Sequence, residues 1–354
     1  MTDKGYLPQD KWEPFIESLS NDFRVYAPCE EDGVITFQVL EKGKKVDLSR
    51  PSTSAPKGVM FPQSERLFSF DFKKAPESPD KMAVELDAST NMPETVIIGA
   101  RPCDAKGFLT YDRVYLEVDP YYRERREKTT VVGFCCNGPF AGCFCTSAGG
   151  GLAEKEGSDL FVTEVDNGYF LEAITEKGKK LLGRPMVEDG ASHADAASKK
   201  QEQASKALQK VIPGDPEPRI SREAFESDAF WDEVSAKCLS CGVCTYLCPT
   251  CYCFNITDEA RLEGGERVRS WDACMFHHFT LEASGHNPRG RKAMRLKQRV
   301  GHKFLYYVDK YGTIACSGCG RCIRHCPVSV EISGIVARLT EGAQEDQKAA
   351  EARS

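Results

Sequence analysis

The sequence predicts an α+β protein, in which an N-terminal α/β domain is linked to a mainly helical, cysteine-rich domain. Three observations favour this fold class. Strand and helix signals alternate over 1–190, a low-complexity segment rich in Ala, Ser, Lys and Gln covers 191–225, and the densest cysteines lie in 226–338. We interpret 191–225 as a linker and the charged, alanine-rich residues 339–354 as a flexible tail.

The composition bounds the class of protein. The chain has 354 residues, of which 41% are hydrophobic and 28% charged, and this suits two or three globular domains rather than disorder. A net charge of −6 argues against a general nucleic-acid-binding protein. The apolar runs fall short of the ~18 residues that span a bilayer, and the polar, acidic start has the features of neither a signal peptide nor a transit peptide. We therefore expect a cytoplasmic protein without membrane insertion.

Two β-hairpins are predicted in the first region. The turns Asp32-Gly33 and Asp166-Asn167-Gly168 each lie between short apolar runs, and such turns favour tight reversals of the chain. The first turn lies between the runs 24–26 and 34–37, and the second lies between the runs 161–165 and 169–171.

Between the hairpins, the pattern predicts a strand, a helix and a second strand. The strands are Val96-Ile97-Ile98 and Thr129-Thr130-Val131-Val132, and Asp104 is expected to cap the helix between them. A right-handed crossover makes the two strands parallel. A marginal helix is expected in the linker around 199–212.

Cysteine chemistry sets this chain apart. It has 17 cysteines, mostly clustered, and nothing in it indicates secretion, so metal binding is favoured over a disulfide framework. One run reads Cys238-x2-Cys241-x2-Cys244-x3-Cys248-Pro249, and the same spacing recurs as Cys316-x2-Cys319-x2-Cys322-x3-Cys326-Pro327. Two complete runs of this kind are typical of a pair of [4Fe–4S] clusters in a ferredoxin-type domain.

The last cysteine of each run is expected to reach the neighbouring cluster. Three thiolates on a tight loop hold three corners of one cube, and the fourth lies on a diverging segment. Cluster one is therefore predicted at Cys238, Cys241, Cys244 and Cys326, and cluster two at Cys316, Cys319, Cys322 and Cys248. Structural zinc is the alternative, although zinc sites usually combine two separated CxxC pairs.

A third cysteine group is predicted in the first region. Cys103 and the pair Cys135-Cys136 follow the two parallel strands, so they emerge at the same carboxyl edge of the sheet. Cys143 and Cys145 come shortly afterwards, before a glycine-rich segment. We predict a third [4Fe–4S] cluster on Cys103, Cys136, Cys143 and Cys145, with Cys135 pointing away. A zinc site and buried thiols without metal remain the alternatives, and the glycines could also cradle phosphate or flavin.

Other candidate residues carry weaker signals. Cys251, Cys253 and Cys274, with His277 and His278 nearby, could form a further metal site or lie in the core beside cluster two. The seven cationic residues of 289–303 suggest either a solvated helix face or a docking surface for an acidic partner. No Ser/His/Asp arrangement, HExxH motif or P-loop is present, so no catalytic residue is predicted.

Several stretches resemble one known family, which comprises the 4Fe–4S electron-transfer β subunits of soluble hydrogenase (sulfhydrogenase) and the corresponding iron–sulfur subunits of anaerobic sulfite reductase. The strongest stretch is 238–258, which reads CLSCGVCTYLCPTCYCFNITD. The resemblance covers most of 20–335, and the other stretches that carry it are 61–68, 101–104, 119–122, 143–145, 271–276, 284–288, 302–304 and 318–323.

This resemblance implies a non-catalytic component of a multi-subunit oxidoreductase of anaerobic metabolism. Such a component relays electrons between a flavin- and NAD(P)-binding partner and a catalytic module, which is a hydrogenase, a heterodisulfide-reductase-like assembly or a sulfite reductase. The flavin is expected on the partner. Two alternatives stay open at this stage. One is a self-sufficient iron–sulfur reductase with its own substrate or flavin site in the N-terminal domain, and the other is a zinc-stapled interaction protein.

Overall fold

The computed structural model describes residues 3–75 and 78–340. Within these residues, twelve β-strands form an eight-stranded mixed sheet and a four-stranded antiparallel sheet. The strands are β1 (Lys4–Pro8), β2 (Arg24–Glu31), β3 (Val34–Val39), β4 (Ser64–Ala75), β5 (Ser78–Asp87), β6 (Thr95–Ala100), β7 (Thr129–Phe134), β8 (Leu160–Val165), β9 (Gly168–Ala173), β10 (Glu188–Asp189), β11 (Phe254–Arg261) and β12 (Gly264–Trp271).

Short helices connect these strands and make up much of the C-terminal part. They are α1 (Trp12–Ser20), α2 (Lys57–Met60), α3 (Pro102–Tyr115), α4 (Pro120–Glu127), α5 (Glu176–Leu182), α6 (Ala194–Lys206), α7 (Arg222–Glu226), α8 (Asp228–Ser235), α9 (Val243–Tyr246), α10 (Lys292–Gly301), α11 (Tyr307–Tyr311) and α12 (Arg321–Arg324). A π-helix, His302–Tyr306, joins α10 to α11. No helix among the described residues has both the length and the apolar character needed to cross a membrane.

The large sheet has the strand order β10-β1-β9-β8-β7-β6-β2-β3. Both predicted hairpins are present, as β2–β3 and β8–β9, and the predicted parallel pair is β6–β7. The parallel region is wider than expected, because β2 and β8 also run parallel to their neighbours. Strands β6 and β7 are buried along their whole length, which explains their continuous apolar sequence. The predicted α+β fold class is therefore confirmed.

The small sheet joins sequence-distant segments in the order β11-β12-β4-β5. Its hairpin β11–β12 lies in the region expected to be mainly helical, and it was not predicted. Strand β11 is almost entirely exposed, and its alternation of apolar and polar residues is limited to Phe254, Ile256 and Ala260. Arg269 on β12 forms buried ion pairs with Glu65 on β4 and with Asp119 at the start of α4, which fixes this sheet to the N-terminal region.

Three local expectations differ from the structure. Helix α3 begins at Pro102 with Arg101 as its N-cap, and Asp104 lies inside the first turn, where its carboxylate accepts a hydrogen bond from the Arg101 amide. The linker helix is α6, which begins and ends earlier than 199–212 because its buried contacts are made by Ala197 and Ala204. Leu339, in the segment expected as a tail, is buried in the core, and the remainder of that segment, 341–354, lies outside the described residues.

The C-terminal core surrounds the cysteine motifs. Phe225, Trp231, Leu296, Val300 and Phe304 are each no more than 1% exposed and belong to one apolar cluster, against which several motif cysteines pack. These side chains come from α7, α8, α10 and the π-helix, so the motif loops rest on a packed helical support.

Candidate metal centres

The two cysteine motifs fold into loops with the same local geometry. In the first motif, the residues on either side of the second cysteine have positive φ values, 55° at Ser240 and 77° at Gly242. The corresponding residues of the second motif do too, with 62° at Gly318 and 72° at Gly320. Gly242 and Gly320 are each the N-cap of a four-residue helix, α9 or α12. The repeat in the sequence is thus a repeat in backbone conformation, which brings three cysteines of each motif to one side of a tight loop.

An exposed cavity lies at the first motif loop. Cys241 is exposed, and the adjacent Leu239 is 64% exposed, so this cavity reaches the protein surface. Five cysteines line it, namely Cys238, Cys241, Cys244, Cys322 and Cys326. The structure therefore brings the last cysteine of the second motif to the first three cysteines of the first motif.

A middle cavity lies at the second motif loop. Its cysteines are Cys248, Cys316, Cys319 and Cys322. Three of these, Cys248, Cys316 and Cys319, are at most 9% exposed. This is the set predicted for cluster two, in which the first motif contributes its last cysteine.

An N-terminal cavity is lined by Cys103, Cys136, Cys143 and Cys145, the four cysteines predicted for a third cluster, together with Cys319. Cys135 is absent from the lining and belongs to an apolar cluster with Leu152 and Phe161, which Cys136 also contacts. Successive residues at a strand end point to opposite sides, which explains why Cys136 lines the cavity and Cys135 does not.

The three cavities lie in a row. The N-terminal and middle cavities share Gly318 and Cys319 in their lining, and the middle and exposed cavities share Arg299 and Cys322. Backbone contact holds the first pair together, since the Phe144 amide donates to the Gly318 carbonyl at 2.8 Å. A Cβ at Gly318 would lie 2.5 Å from the Cys145 Cα, so only glycine allows this approach.

The cavity residues fit a multi-atom cluster better than a single metal ion. Within the described part of the chain, no three or more His, Cys, Asp or Glu side chains converge closely enough to hold one ion. Among the described residues, the buried side-chain polar atoms without a hydrogen-bond partner are Nε and Nη2 of Arg299, the Ser317 hydroxyl and the Ser158 hydroxyl. The first three belong to residues that line the middle cavity. Donors oriented into a cysteine-lined cavity suit sulfide and thiolate acceptors.

Burial raises the pKa of several cavity thiols. It raises the pKa of Cys136 to about 12 and the pKa values of Cys145, Cys244 and Cys316 to about 11. Burial also raises the pKa of Cys103 well above its ordinary value. Metal ligation requires thiolates, so binding to these cysteines is coupled to proton release.

Two buried cations beside the middle cavity were missed by the sequence reasoning. Arg299 and Lys303 belong to the basic stretch interpreted as a solvated face or a docking surface, but they are only 4% and 3% exposed. Lys303 Nζ lies 3.4 Å from Cys248 Sγ and donates to Thr250 Oγ1 and to the Ala315 carbonyl. The sequence carried no signal for this burial, because helical spacing does not tell whether a cation faces water or a cavity.

A third buried cation, Arg321, follows the second cysteine of motif two and lines the N-terminal cavity. Its guanidinium forms two hydrogen bonds with the carboxylate of Asp104, and the two side chains are 1% and 0% exposed. It also donates to the carbonyl and hydroxyl of Ser52. This ion pair connects helix α3, which carries Cys103, to the second motif loop.

The remaining cysteines line none of these three cavities. The Cys251 carbonyl accepts hydrogen bonds from Lys57 and Tyr111, both of them in the first region, so this stretch is fixed from the N-terminal side. Cys274 packs against the C-terminal core, and a hydrogen bond from Cys253 is the main cause that lowers its pKa to about 6. The glycine-rich segment after Cys145 directs its carbonyls at 148 and 149 to Lys106.

Comparison with known proteins identifies the class. Residues 237–330 match the model of a 4Fe-4S dicluster domain, which spans both motifs, so the chain is an iron–sulfur protein. The whole chain is 30% identical over 342 residues to the sulfhydrogenase 2 subunit beta of Pyrococcus furiosus, and the match covers 95% of this chain and 98% of that protein. The chain therefore belongs to the family of sulfhydrogenase β subunits, which are iron–sulfur electron-transfer subunits, as the resemblance in the sequence indicated. No solved structure matches it significantly.

Proposed function

We propose that this chain relays electrons along three [4Fe–4S] clusters, one in each cavity. The ligands are Cys238, Cys241, Cys244 and Cys326 in the exposed cavity; Cys248, Cys316, Cys319 and Cys322 in the middle cavity; and Cys103, Cys136, Cys143 and Cys145 in the N-terminal cavity. The observation that carries the proposal is the row of three cysteine-lined cavities, in which each neighbouring pair shares lining residues. Bound clusters would supply one-electron carriers, and four cysteine ligands on each leave no open iron position for a substrate.

The residues around the three cavities favour electron transfer over catalysis of a reaction. The middle cavity is enclosed by Phe144 and Ile332, which are 2% exposed, so water is kept from the centre of the row. Buried apolar walls lower the local dielectric and limit the reorganisation that accompanies a change of charge.

The two ends of the row suit two different partners. At one end, Cys241 and Leu239 are exposed beside the first motif. At the other end, the exposed Pro139 lines the N-terminal cavity. We assign one end to a flavin- and NAD(P)-binding partner, while the other end meets a catalytic partner. Because the relative is a subunit of a sulfhydrogenase, a hydrogenase is the first expectation for that catalytic partner. A heterodisulfide-reductase-like or sulfite reductase module is the other outcome.

Iron and sulfide counts test the cluster assignment. The full chain, purified without oxygen, is expected to hold about twelve irons. Cys136→Ser should lower this to about eight, whereas Cys135→Ser, at the adjacent residue, should leave the count unchanged. Equal counts in the two variants would contradict the third cluster, and stoichiometric zinc without iron would contradict all three.

Anaerobic isolation of the tagged chain with its partners tests the relay. We expect a flavoprotein and a catalytic protein to accompany it, with flavin absent from the chain alone. Cys241→Ser should slow electron passage between the two partners while each partner keeps its own activity with artificial dyes. A purified chain that binds flavin and oxidises a donor unaided would instead establish a self-sufficient reductase.

A further inference from the structure

One helix face places two buried positive charges against the cavities. Arg299 lies in the last turns of α10, and Lys303 lies in the π-helix that follows it. The wider turn of a π-helix changes which residues share a face, and such turns often occur at functional sites. Here both cations line the middle cavity, and Arg299 also lines the exposed cavity.

No carboxylate balances these charges in the contacts that the structure describes. Lys303 Nζ contacts only neutral oxygens and the Cys248 sulfur, at 2.8–3.4 Å. Arg299 has Nε and Nη2 without partners among the described residues. The contrast with Arg321 is clear, because that buried guanidinium is paired with Asp104. A buried and unpaired cation is costly, so its retention requires a negative group within the cavities.

We propose that Arg299 and Lys303 set the reduction potentials of the clusters, an inference that rests on the proposed cluster ligation. Arg299 acts on the clusters of the exposed and middle cavities, and Lys303 acts on the middle cluster alone. With clusters bound, an external reductant such as dithionite would add one electron to each, and Arg299 and Lys303 would keep their protons. Reduction therefore adds one negative charge beside them, and a fixed positive charge at short range in a low dielectric favours the reduced form.

The shared arginine gives this arrangement a consequence for the relay. Because Arg299 lines two cavities, its charge raises both potentials and leaves the difference between them little changed. Lys303 lines only the middle of these two cavities, so it raises the middle potential relative to its neighbour. These are electrostatic roles, because the two side chains act on the clusters through their charge.

The test is a potentiometric titration of the full chain followed by electron paramagnetic resonance. Arg299→Gln should shift two midpoint potentials to lower values, and Lys303→Gln should shift one. Arg299→Lys retains the positive charge, so both midpoint potentials should stay close to their wild-type values. Lys297→Gln is the matched control, because Lys297 is a partly exposed cation on the same helix that pairs with Glu226, and it should change none of the potentials.

The outcomes separate this inference from the proposed function. If the wild-type chain lacks the clusters, the proposed function fails. If the variants hold the same iron and show unchanged potentials, only the inference fails. Should Arg299→Gln bind less iron, then Lys303→Gln carries the test, and an unchanged middle-cluster potential in that variant would overturn the inference.

Discussion

The buried ion pair between Asp104 and Arg321 gives the sharpest prediction on stability. Asp104→Ala leaves the Arg321 guanidinium charged, 1% exposed and without its carboxylate, and only the two contacts with Ser52 remain. Removing one partner of a buried pair costs about 3–5 kcal/mol, because the other charge stays desolvated. For a chain of this length, that corresponds to a fall in Tm of roughly 4–7 °C.

The measurement is thermal unfolding of the holoprotein without oxygen, followed by circular dichroism. A double variant, Asp104→Ala with Arg321→Met, should recover most of the loss, since removing both charges is nearly neutral. Asp258→Ala is the matched control, because Asp258 and Arg267 form the same two-pronged contact on the surface, and solvent screening should leave Tm unchanged. If Asp104→Ala shifts Tm no more than Asp258→Ala does, or if the two substitutions are additive, the reasoning is refuted.

Three further predictions concern the cavities. Gly318→Ala should lose iron from the middle and N-terminal sites, because its Cβ would lie 2.5 Å from the Cys145 backbone. Gly312→Ala is the control and should retain all iron, because Gly312 has a similar φ of 75° and open space around it. Reconstitution of the iron-free chain should be more complete at pH ~9 than at pH ~7, since ligand thiols with pKa values of about 11 to 12, such as those of Cys145 and Cys136, must lose protons before they bind. A yield independent of pH would contradict proton-coupled ligation. Lys57→Met should lower Tm by about 1–4 °C, because the buried carbonyls of 245 and 251 lose the donor that they share. An unchanged Tm would show that this donor contributes nothing to stability.

Much of the fold could be predicted because its signals are local. The turns at 32–33 and 166–168 set two hairpins, and the continuous apolar runs of β6 and β7 set the buried parallel pair. The β11–β12 hairpin was not predictable in this way. Its strand β11 is exposed on the described surface, and β12 is held in place by β4, almost two hundred residues earlier in the chain.

The sequence by itself determined the chemistry of the cysteines. The spacing of each motif places three thiols on one tight loop and directs the fourth elsewhere, because backbone geometry over ten residues allows little else. The predicted ligand sets lie around three cavities, and the iron counts test whether they ligate clusters there. Alternation at a strand end also explains why Cys136 lines the N-terminal cavity and Cys135 does not.

Only the tertiary structure decided the electrostatics of the row. The basic stretch 289–303 has the composition of a solvated helix, and helical periodicity cannot tell whether a cation faces water or a cavity. Packing of α10 and the π-helix against the motif loops buried Arg299 and Lys303, while α3 supplied Asp104 to neutralise Arg321. Burial and charge pairing depend on contacts between distant segments, and a one-dimensional pattern does not contain those contacts.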